Sequence, residues 1–386
     1  MRGKKRSKVV RCTAFLCYRN FYCRFKAEKH AVRAADGAME EGGAREQMRG
    51  RHRNGGIMKI AAYEVREDER EIMERRAQER GIDLVLSPEV LDEANVQSAQ
   101  GADGVTTLGK SSLNAGMLKR LHGMGVKAVA TRTMGVDHID LDAAKQEQMA
   151  VYRASYDPDG VAEFTIMLIQ MALRHYKQAL YRANANDYSL SGLMGRELRN
   201  LTVGVVGTGG IGSKVIQILQ GFGCRVLAFN RRRVLPDHLE GMAKMCSLEE
   251  LYQNSDVITL HVPSTKETWH MIDQAAIQAM KDGVVLINCA RGSLMSIEDL
   301  ITGIETQKIG ALALDVIEDE DGIYHQDRRS DILINRNMAY IRQFPNVVMT
   351  QHMAFYTDAA VKSMAVSGVD NIAAFAEGKE TNDRVI

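Results

Sequence analysis

An α/β protein of two parallel-sheet domains is predicted by three features of this 386-residue chain. From Met58 onward short apolar runs alternate with helix-length stretches, the pattern of parallel strands joined by crossover helices. The Asp157-Pro158-Asp159 turn, also a helix-start signal, divides that alternation into two series. The length suits two domains of ordinary size. A hydrophobic content of 45% and a charged content of 26% are those of a soluble globular chain. Without a run of about eighteen apolar residues no membrane span is expected.

The first series begins at Met58-Lys59-Ile60-Ala61-Ala62-Tyr63, which reads as a buried strand where a domain would start. Its strands are expected at 59–63, 84–87, 104–107, 127–131 and 149–152, with helical stretches between them, such as 67–80 and 114–124. Beyond the turn, a long helix rich in Ala, Met and Leu is expected over 161–181, then a polar linker at 184–200. The second series places strands at 201–206, 225–229, 257–260, 284–288, 311–315 and 347–350, and a closing helix to about 377. These positions predict a first domain of residues 58–158 completed by 350–386, a second of 159–349, and a cleft between them. The chain would cross between the two halves twice, so that their closure could exclude water from the cleft.

Residues 1–57 differ from the rest. They carry 15 Lys and Arg against 5 acids, which leaves 35 against 44 in the remainder. An acidic body argues against nucleic acid as a partner. The basic extension could be a targeting or nucleic-acid-binding arm, but charges interrupt its apolar residues, so it has no clean signal-peptide core. It is read as lying outside the fold, either disordered or preceding the true start at Met58. Cys12, Cys17 and Cys23 lie in it. Cys224, Cys246 and Cys289 are widely spaced, show no metal-ligand pattern and read as reduced thiols of a cytoplasmic protein.

The sharpest local signal follows residues 201–206. Gly207-Thr208-Gly209-Gly210-Ile211-Gly212 is G-x-G-x-x-G between a strand and a helix expected over 213–222. Gly207 allows the tight turn, Gly209 lets a pyrophosphate approach the backbone, and Gly212 lets helix and strand pack closely. A dinucleotide on the helix N-terminus is the expected ligand, which makes the second domain a Rossmann domain. The strand at 225–229 ends in Asn230 and not the acid that would bind a ribose 2′-hydroxyl, and Arg231, Arg232 and Arg233 follow. Two readings stay open: acceptance of NADP, whose 2′-phosphate arginines can pair with, or a solvated basic turn beside a site for NAD.

Three further strands end in residues suited to chemistry: 284–288 runs into Arg291, 311–315 ends at Asp315 ahead of Glu318 and Glu320, and 347–350 precedes His352. Ligands gather at such carboxyl ends. Alone, each residue has an ordinary explanation: a surface ion pair, a solvated acidic loop, one of ten histidines.

Together these segments resemble the D-isomer-specific 2-hydroxyacid dehydrogenases across essentially all of 58–386. The resemblance is carried by TRTMGVDHID at 131–140, YDPDGVAEF at 156–164, the glycine turn, NSDVITLHVP at 254–263, INCARG at 287–292, ALDVIEDE at 313–320 and PNVVMTQHMAFYT at 345–357. GFGCRVLAFNRRR at 221–233 and EDEDGIYHQD at 318–327 are similar to D-lactate dehydrogenases of the vancomycin-resistance type.

The resemblance implies a flavodoxin-like substrate domain beside the NAD(P)-binding one, a homodimer contacting through the 161–181 helix, and a small 2-keto or 2-hydroxy acid as substrate. It implies that Arg291 binds the substrate carboxylate, as bidentate guanidinium pairing allows. His352 would be the acid–base group, paired with Glu320 in preference to Glu318, since a neighbouring carboxylate favours the protonated imidazole. Gly210, Ile211, Asn230, Val262, Pro263, Thr268, Cys289, Ala290 and Asp315 fall on cofactor-contact positions, with Asp315 near the nicotinamide carboxamide. The turn at 107–110, including Leu108 and Gly109, would present backbone N–H groups to the substrate carboxylate. Tyr356, with Phe355, could crowd the pocket and favour a short substrate such as pyruvate.

Departures from the family pattern are Gln351 for proline, Met353 for threonine and Asp157 for serine; the first bears on the pose of His352. Arg132 reads as structural or indirectly supportive, and His138, His261, His270 and His325 have weaker claims. A metal site is not expected. The expected activity is reduction of pyruvate, or a similar small 2-keto acid, to the D-hydroxy acid. A dehydrogenase for a larger D-2-hydroxy acid and a dinucleotide-sensing corepressor of the same fold are the alternatives.

Overall fold

The computed structural model describes residues 57–386, and the expectation for the basic extension lies outside the described residues. Five strands come first: β1 (Lys59–Ala62), β2 (Asp83–Leu86), β3 (Gly104–Thr107), β4 (Ala128–Thr131) and β5 (Ala150–Tyr152). They form a parallel sheet in the order β2-β1-β3-β4-β5, which is the flavodoxin-like arrangement. Parallel neighbours need crossovers, and helices α1 (Glu67–Arg80), α2 (Ala115–Gly123) and α3 (Leu141–Gln146) supply them. Helix α1 stops where Gly81 turns left-handed at φ 66°. Helix α2 starts where the Asn114 side chain accepts the Met117 N–H.

The second sheet holds β6 (Thr202–Val206), β7 (Arg225–Phe229), β8 (Lys244–Met245), β9 (Val257–Leu260), β10 (Val284–Asn288), β11 (Ile309–Leu314) and β12 (Val347–Met349). It too is parallel, ordered β12-β11-β10-β9-β6-β7-β8. Counted within this sheet the order is 3-2-1-4-5-6 with one strand added, a Rossmann sheet whose order reverses between β6 and β9. Alternate residues of a strand enter opposite cores: Ile60 and Ala62 one, Ala61 the other. The second sheet is likewise covered on both faces.

The long helix expected over 161–181 is two helices, α4 (Asp159–Leu173) and α5 (Tyr176–Asn184). They part at His175, whose backbone is left-handed at φ 49°, a conformation that ends a right-handed helix. The apolar content of α4 serves its own core, since Val161, Ile166, Leu168, Ile169 and Leu173 are buried against the second sheet. The outward apolar side chains Tyr176, Leu180 and Tyr181 belong to α5. The helix expected to begin at 213 is α6 (Gly210–Gln220), so the glycine turn forms its first turn. The two-residue strand β8 has no counterpart in the expected elements.

Helices α7 (Leu248–Asn254), α8 (Gln274–Ala279), α9 (Ile297–Glu305) and α10 (Arg336–Ile341) complete the second half. The last helix, α11 (Asp358–Ala376), returns to the first sheet. Arg76 and Arg80 of α1 each reach Asp370 at 2.7 Å, and Ile372 fills the space a side chain at Gly104 would need. Beyond it the tail pairs with β5, the Val385 N–H donating to the Val151 carbonyl at 2.8 Å.

Candidate active site

The glycine turn divides three requirements among three residues. Gly207 has φ 98° and lies against the His261 carbonyl, where a Cβ would collide. At Gly209 a Cβ would meet nothing within 4 Å, so the space before the start of α6 is open. A Cβ on Gly212 would fall on the Gly207 carbonyl oxygen. Gly209 and Gly210 are exposed at the N-terminus of α6. A dinucleotide pyrophosphate fits this cradle, because open space, free N–H groups and the helix dipole converge there.

Asn230 closes the same turn. Its amide donates to Thr208 Oγ1 at 2.6 Å and to the Val234 carbonyl at 2.7 Å, while Arg231, Arg232 and Arg233 are exposed beside it. Val262 and Pro263 follow β9, with Val262 against Gly207. Thr268 ties that loop together, donating to the Pro263 carbonyl at 2.7 Å. Burial pushes the His261 imidazole well below its usual pKa, so it is a neutral packing group. Cys289 is buried, and its thiol is pushed up to about 12 by burial and then by the charge of Asp315. It is therefore no nucleophile at neutral pH.

Arg291 follows β10 after a turn held by Asn288, whose side chain accepts the Ala290 N–H at 2.9 Å and donates to the Arg291 carbonyl at 2.8 Å. The guanidinium crosses to the first half of the fold, where Nε donates to Asp137 Oδ2 at 3.0 Å. It lies over Gly135, where a side chain would collide with Nη2. Asp137 and Gly135 both belong to the 131–140 motif, yet neither was singled out from sequence.

His352 follows β12 in a left-handed conformation, φ 51°. Its Nδ1 donates to Glu320 Oε1 at 2.5 Å, which leaves Nε2 as the other polar atom of the ring. Glu320 is held in turn, its Oε2 accepting the Ile317 N–H at 2.8 Å. Glu318 is engaged elsewhere, 2.6 Å from His270 Nε2. The two neighbouring acids thus have different partners.

Asp315 organises the turn around His352. It is fully buried. Its Oδ1 accepts the Thr350 hydroxyl at 2.6 Å and the Met353 N–H at 2.9 Å. Its Oδ2 accepts the Ala354 N–H at 2.8 Å, and its carbonyl accepts the His352 N–H at 2.7 Å. A cofactor contact there would share a carboxylate already bonded three times.

The loop after β3 packs against the same 131–140 segment that Arg291 reaches. Buried Glu64 accepts the Lys110 N–H at 2.8 Å and the Ser111 N–H at 2.7 Å, and the Ser111 hydroxyl donates to it as well. That grip fixes Leu108 and Gly109, the latter at φ 115° against Thr133 and His138. His138 Nε2 is buried without a partner among the described residues, and burial lowers its pKa, with Glu64 and Asp137 opposing and Arg291 adding to the shift. Arg132 is fully buried, paired with buried Glu69 at 3.0 Å and bonded to the Tyr63 and Glu64 carbonyls at 2.9 and 3.0 Å. It is a structural hub beneath the loop. Tyr356 donates to Asp68 Oδ2 at 2.8 Å, and the Arg66 guanidinium lies 5.3 Å from its ring and 5.9 Å from that of Phe355.

Comparison with known proteins places the chain in a family. Residues 166–354 match the family model described as the NAD binding domain of D-isomer specific 2-hydroxyacid dehydrogenase. An aromatic 2-oxoacid reductase of Clostridium sporogenes is 40% identical over 334 residues, covering 85% of this chain and 99% of that protein. A D-specific alpha-keto acid dehydrogenase of Enterococcus faecium is 36% identical, covering 83% and 98%. The NAD-complexed D-isomer specific 2-hydroxyacid dehydrogenase of Lactobacillus delbrueckii ssp. bulgaricus superposes with a TM-score of 0.73 at 27% identity, covering 85% and 100%.

Proposed function

The chain belongs to the D-isomer-specific 2-hydroxyacid dehydrogenase family as an NAD-dependent enzyme, and from that premise we propose that it reduces a 2-keto acid, pyruvate or a close relative, to the D-hydroxy acid. The observation that carries this reading is the His352–Glu320 contact at the mouth of the Rossmann sheet. Bound nicotinamide dinucleotide supplies the hydride that the keto carbon accepts.

The chain's own residues do the rest. Arg291 pairs with the substrate carboxylate through its η nitrogens, and Asp137 on Nε fixes the plane of the guanidinium. Backbone N–H groups at Leu108 and Gly109 bind the same carboxylate. His352 Nε2 gives its proton to the carbonyl oxygen as charge develops there and takes it back in the reverse direction. Glu320 holds the ring in the tautomer that directs Nε2 to the substrate and stabilises the imidazolium. Asp315 acts as a positioning residue through the 350–354 turn. The residues of 58–158 and 350–386 act as the substrate domain and those of 159–349 as the nucleotide domain, closing to exclude water.

A larger, aromatic side chain on the keto acid is the second reading. It is favoured by the relative named for aromatic 2-oxoacids, and the Phe355 ring, its centroid 6.3 Å from that of His352, offers an aryl side chain a stacking surface where the sequence suggested crowding. For the coenzyme, Asn230 and the exposed arginines after it support acceptance of NADP beside NAD. The exposed apolar residues Tyr176, Leu180 and Tyr181 of α5, and Leu190 beyond it, support a homodimer formed through this surface. Among the described residues no helix is long and apolar enough to cross a membrane.

The test is NADH oxidation with pyruvate and with phenylpyruvate, followed by chiral analysis of the product. A D-hydroxy acid from either is expected, and the faster substrate assigns the side chain. An L-product, or turnover of neither acid, would refute the reading.

A further inference from the structure

The loop after β11 touches His352 twice. Glu320 accepts from the ring at Nδ1, and five residues later His325 Nε2 donates to the His352 carbonyl at 3.0 Å. The loop is closed on itself, with the Ile323 and Tyr324 N–H groups donating to the Glu320 carbonyl at 3.0 and 3.2 Å. Tyr324 is buried beneath it, so both contacts start from an anchored segment.

The turn that this loop grips needs support. His352 sits at φ 51° and His325 at φ 59°, left-handed conformations that disfavour a side-chain-bearing residue. Gln351 leaves the φ angle before His352 unlocked, where a proline ring would fix it. The His325 ring stands 6.1 Å from that of His352, and the Phe355 ring closes the triangle at 6.3 Å from each.

We propose that His325 is a positioning residue for the reaction, clasping the His352 carbonyl so that the His352 ring stays between Glu320 and the substrate carbonyl. The proposal rests on the reading of His352 as the proton donor. It gives the loop two jobs: one carboxylate orients the ring, and one imidazole N–H fixes the backbone that carries it.

Two variants separate this from simple packing. His325→Phe keeps an aromatic ring against Phe355 and loses the donor, whereas His325→Gln keeps an N–H donor without the ring. His325→Phe should lower kcat about 10-fold, the scale of one lost hydrogen bond, with the KM of the keto acid within about twofold and an unchanged Tm. His325→Gln should retain most of the rate. The low-field proton resonance of His352 Nδ1–H, bonded to Glu320, should broaden or shift in His325→Phe alone. A wild-type kcat with an unmoved resonance in His325→Phe would overturn the proposal, as would equal losses in both variants together with a lowered Tm. If the wild-type protein turned over no 2-keto acid, the functional reading would fail by itself, and the resonance would still decide whether His325 holds His352.

Discussion

Replacing Asp315 by Asn separates two roles for one carboxylate. Asp315 is fully buried, accepts two backbone N–H groups and one hydroxyl through its side chain, and holds the His352 N–H through its carbonyl. An Asn can keep one oxygen on Thr350 and Met353. Its NH2 then faces the Ala354 N–H, donor against donor. The loss is one charge-assisted bond, worth about 1.5–3 kcal/mol, with a buried donor left unsatisfied. Folding should weaken by about 2–3 kcal/mol. If the displaced turn carries most of that loss into the ordering of His352, kcat should fall by about 10- to 100-fold. Dissociation of NADH, read by fluorescence titration, should be nearly unchanged. Urea unfolding and steady-state rates of Asp315→Asn complete the assay. A variant with wild-type stability and turnover but much weaker NADH binding would refute the positioning role and return Asp315 to the nicotinamide.

Stability should also depend on pH through histidines whose charged form is disfavoured by folding. His138, His261 and His325 all have pKa values lowered in the folded state, with burial as the largest cause. Unfolded, each titrates near the ordinary value of about 6.5. Below that pH the unfolded chain binds protons that the folded chain refuses, so stability is complete above about pH 6.5 and is lost as pH falls toward the folded values. Tm should therefore drop between pH 7.5 and 5.5, a range above the ordinary carboxylate pKa values, and a flat profile there would contradict the assignment. In the NADH oxidation assay, substituting NADPH reads Asn230 and its arginines: comparable rates are expected, and a rate below about a hundredth of that with NADH would make the basic turn a bystander.

Much of this site was legible before any coordinates, because its chemistry lies where sequence periodicity is strongest. Strands β3, β7, β9 and β10 and helix α1 have the bounds expected from their apolar runs. Once the strands were placed, Gly207, Arg291 and His352 were at carboxyl ends by necessity. The tight turn expected at Gly207 and the close packing expected at Gly212 match the backbone at each, since the shape of a tight turn is a local matter.

What was not legible depends on long-range contact. Glu64 grips a loop 46 residues away, Asp137 reaches Arg291 across 154, and Asp315 bonds a turn 38 residues on. No spacing rule connects such pairs. The choice of Glu320 over Glu318 followed from the family resemblance and not from spacing, since His270 sits 48 residues from the acid it occupies. The break at His175 was hidden for another reason: nothing in an Ala- and Leu-rich stretch marks a single left-handed residue. The two-residue β8 is too short for periodicity to register.

If Arg291 holds the substrate while His352 moves the proton, one experiment reaches both. Single-turnover rates of His352→Ala and Arg291→Ala should be measured with saturating NADH and the better keto acid, beside NADH titrations of the same samples. Both variants should lose more than about 99% of the rate, Arg291→Ala should also raise the KM of the keto acid, and NADH affinity should survive in each, as general acid catalysis and bidentate carboxylate binding require. Near wild-type turnover in either variant would contradict the role of that residue, and loss of NADH binding along with rate would place it in the cofactor site.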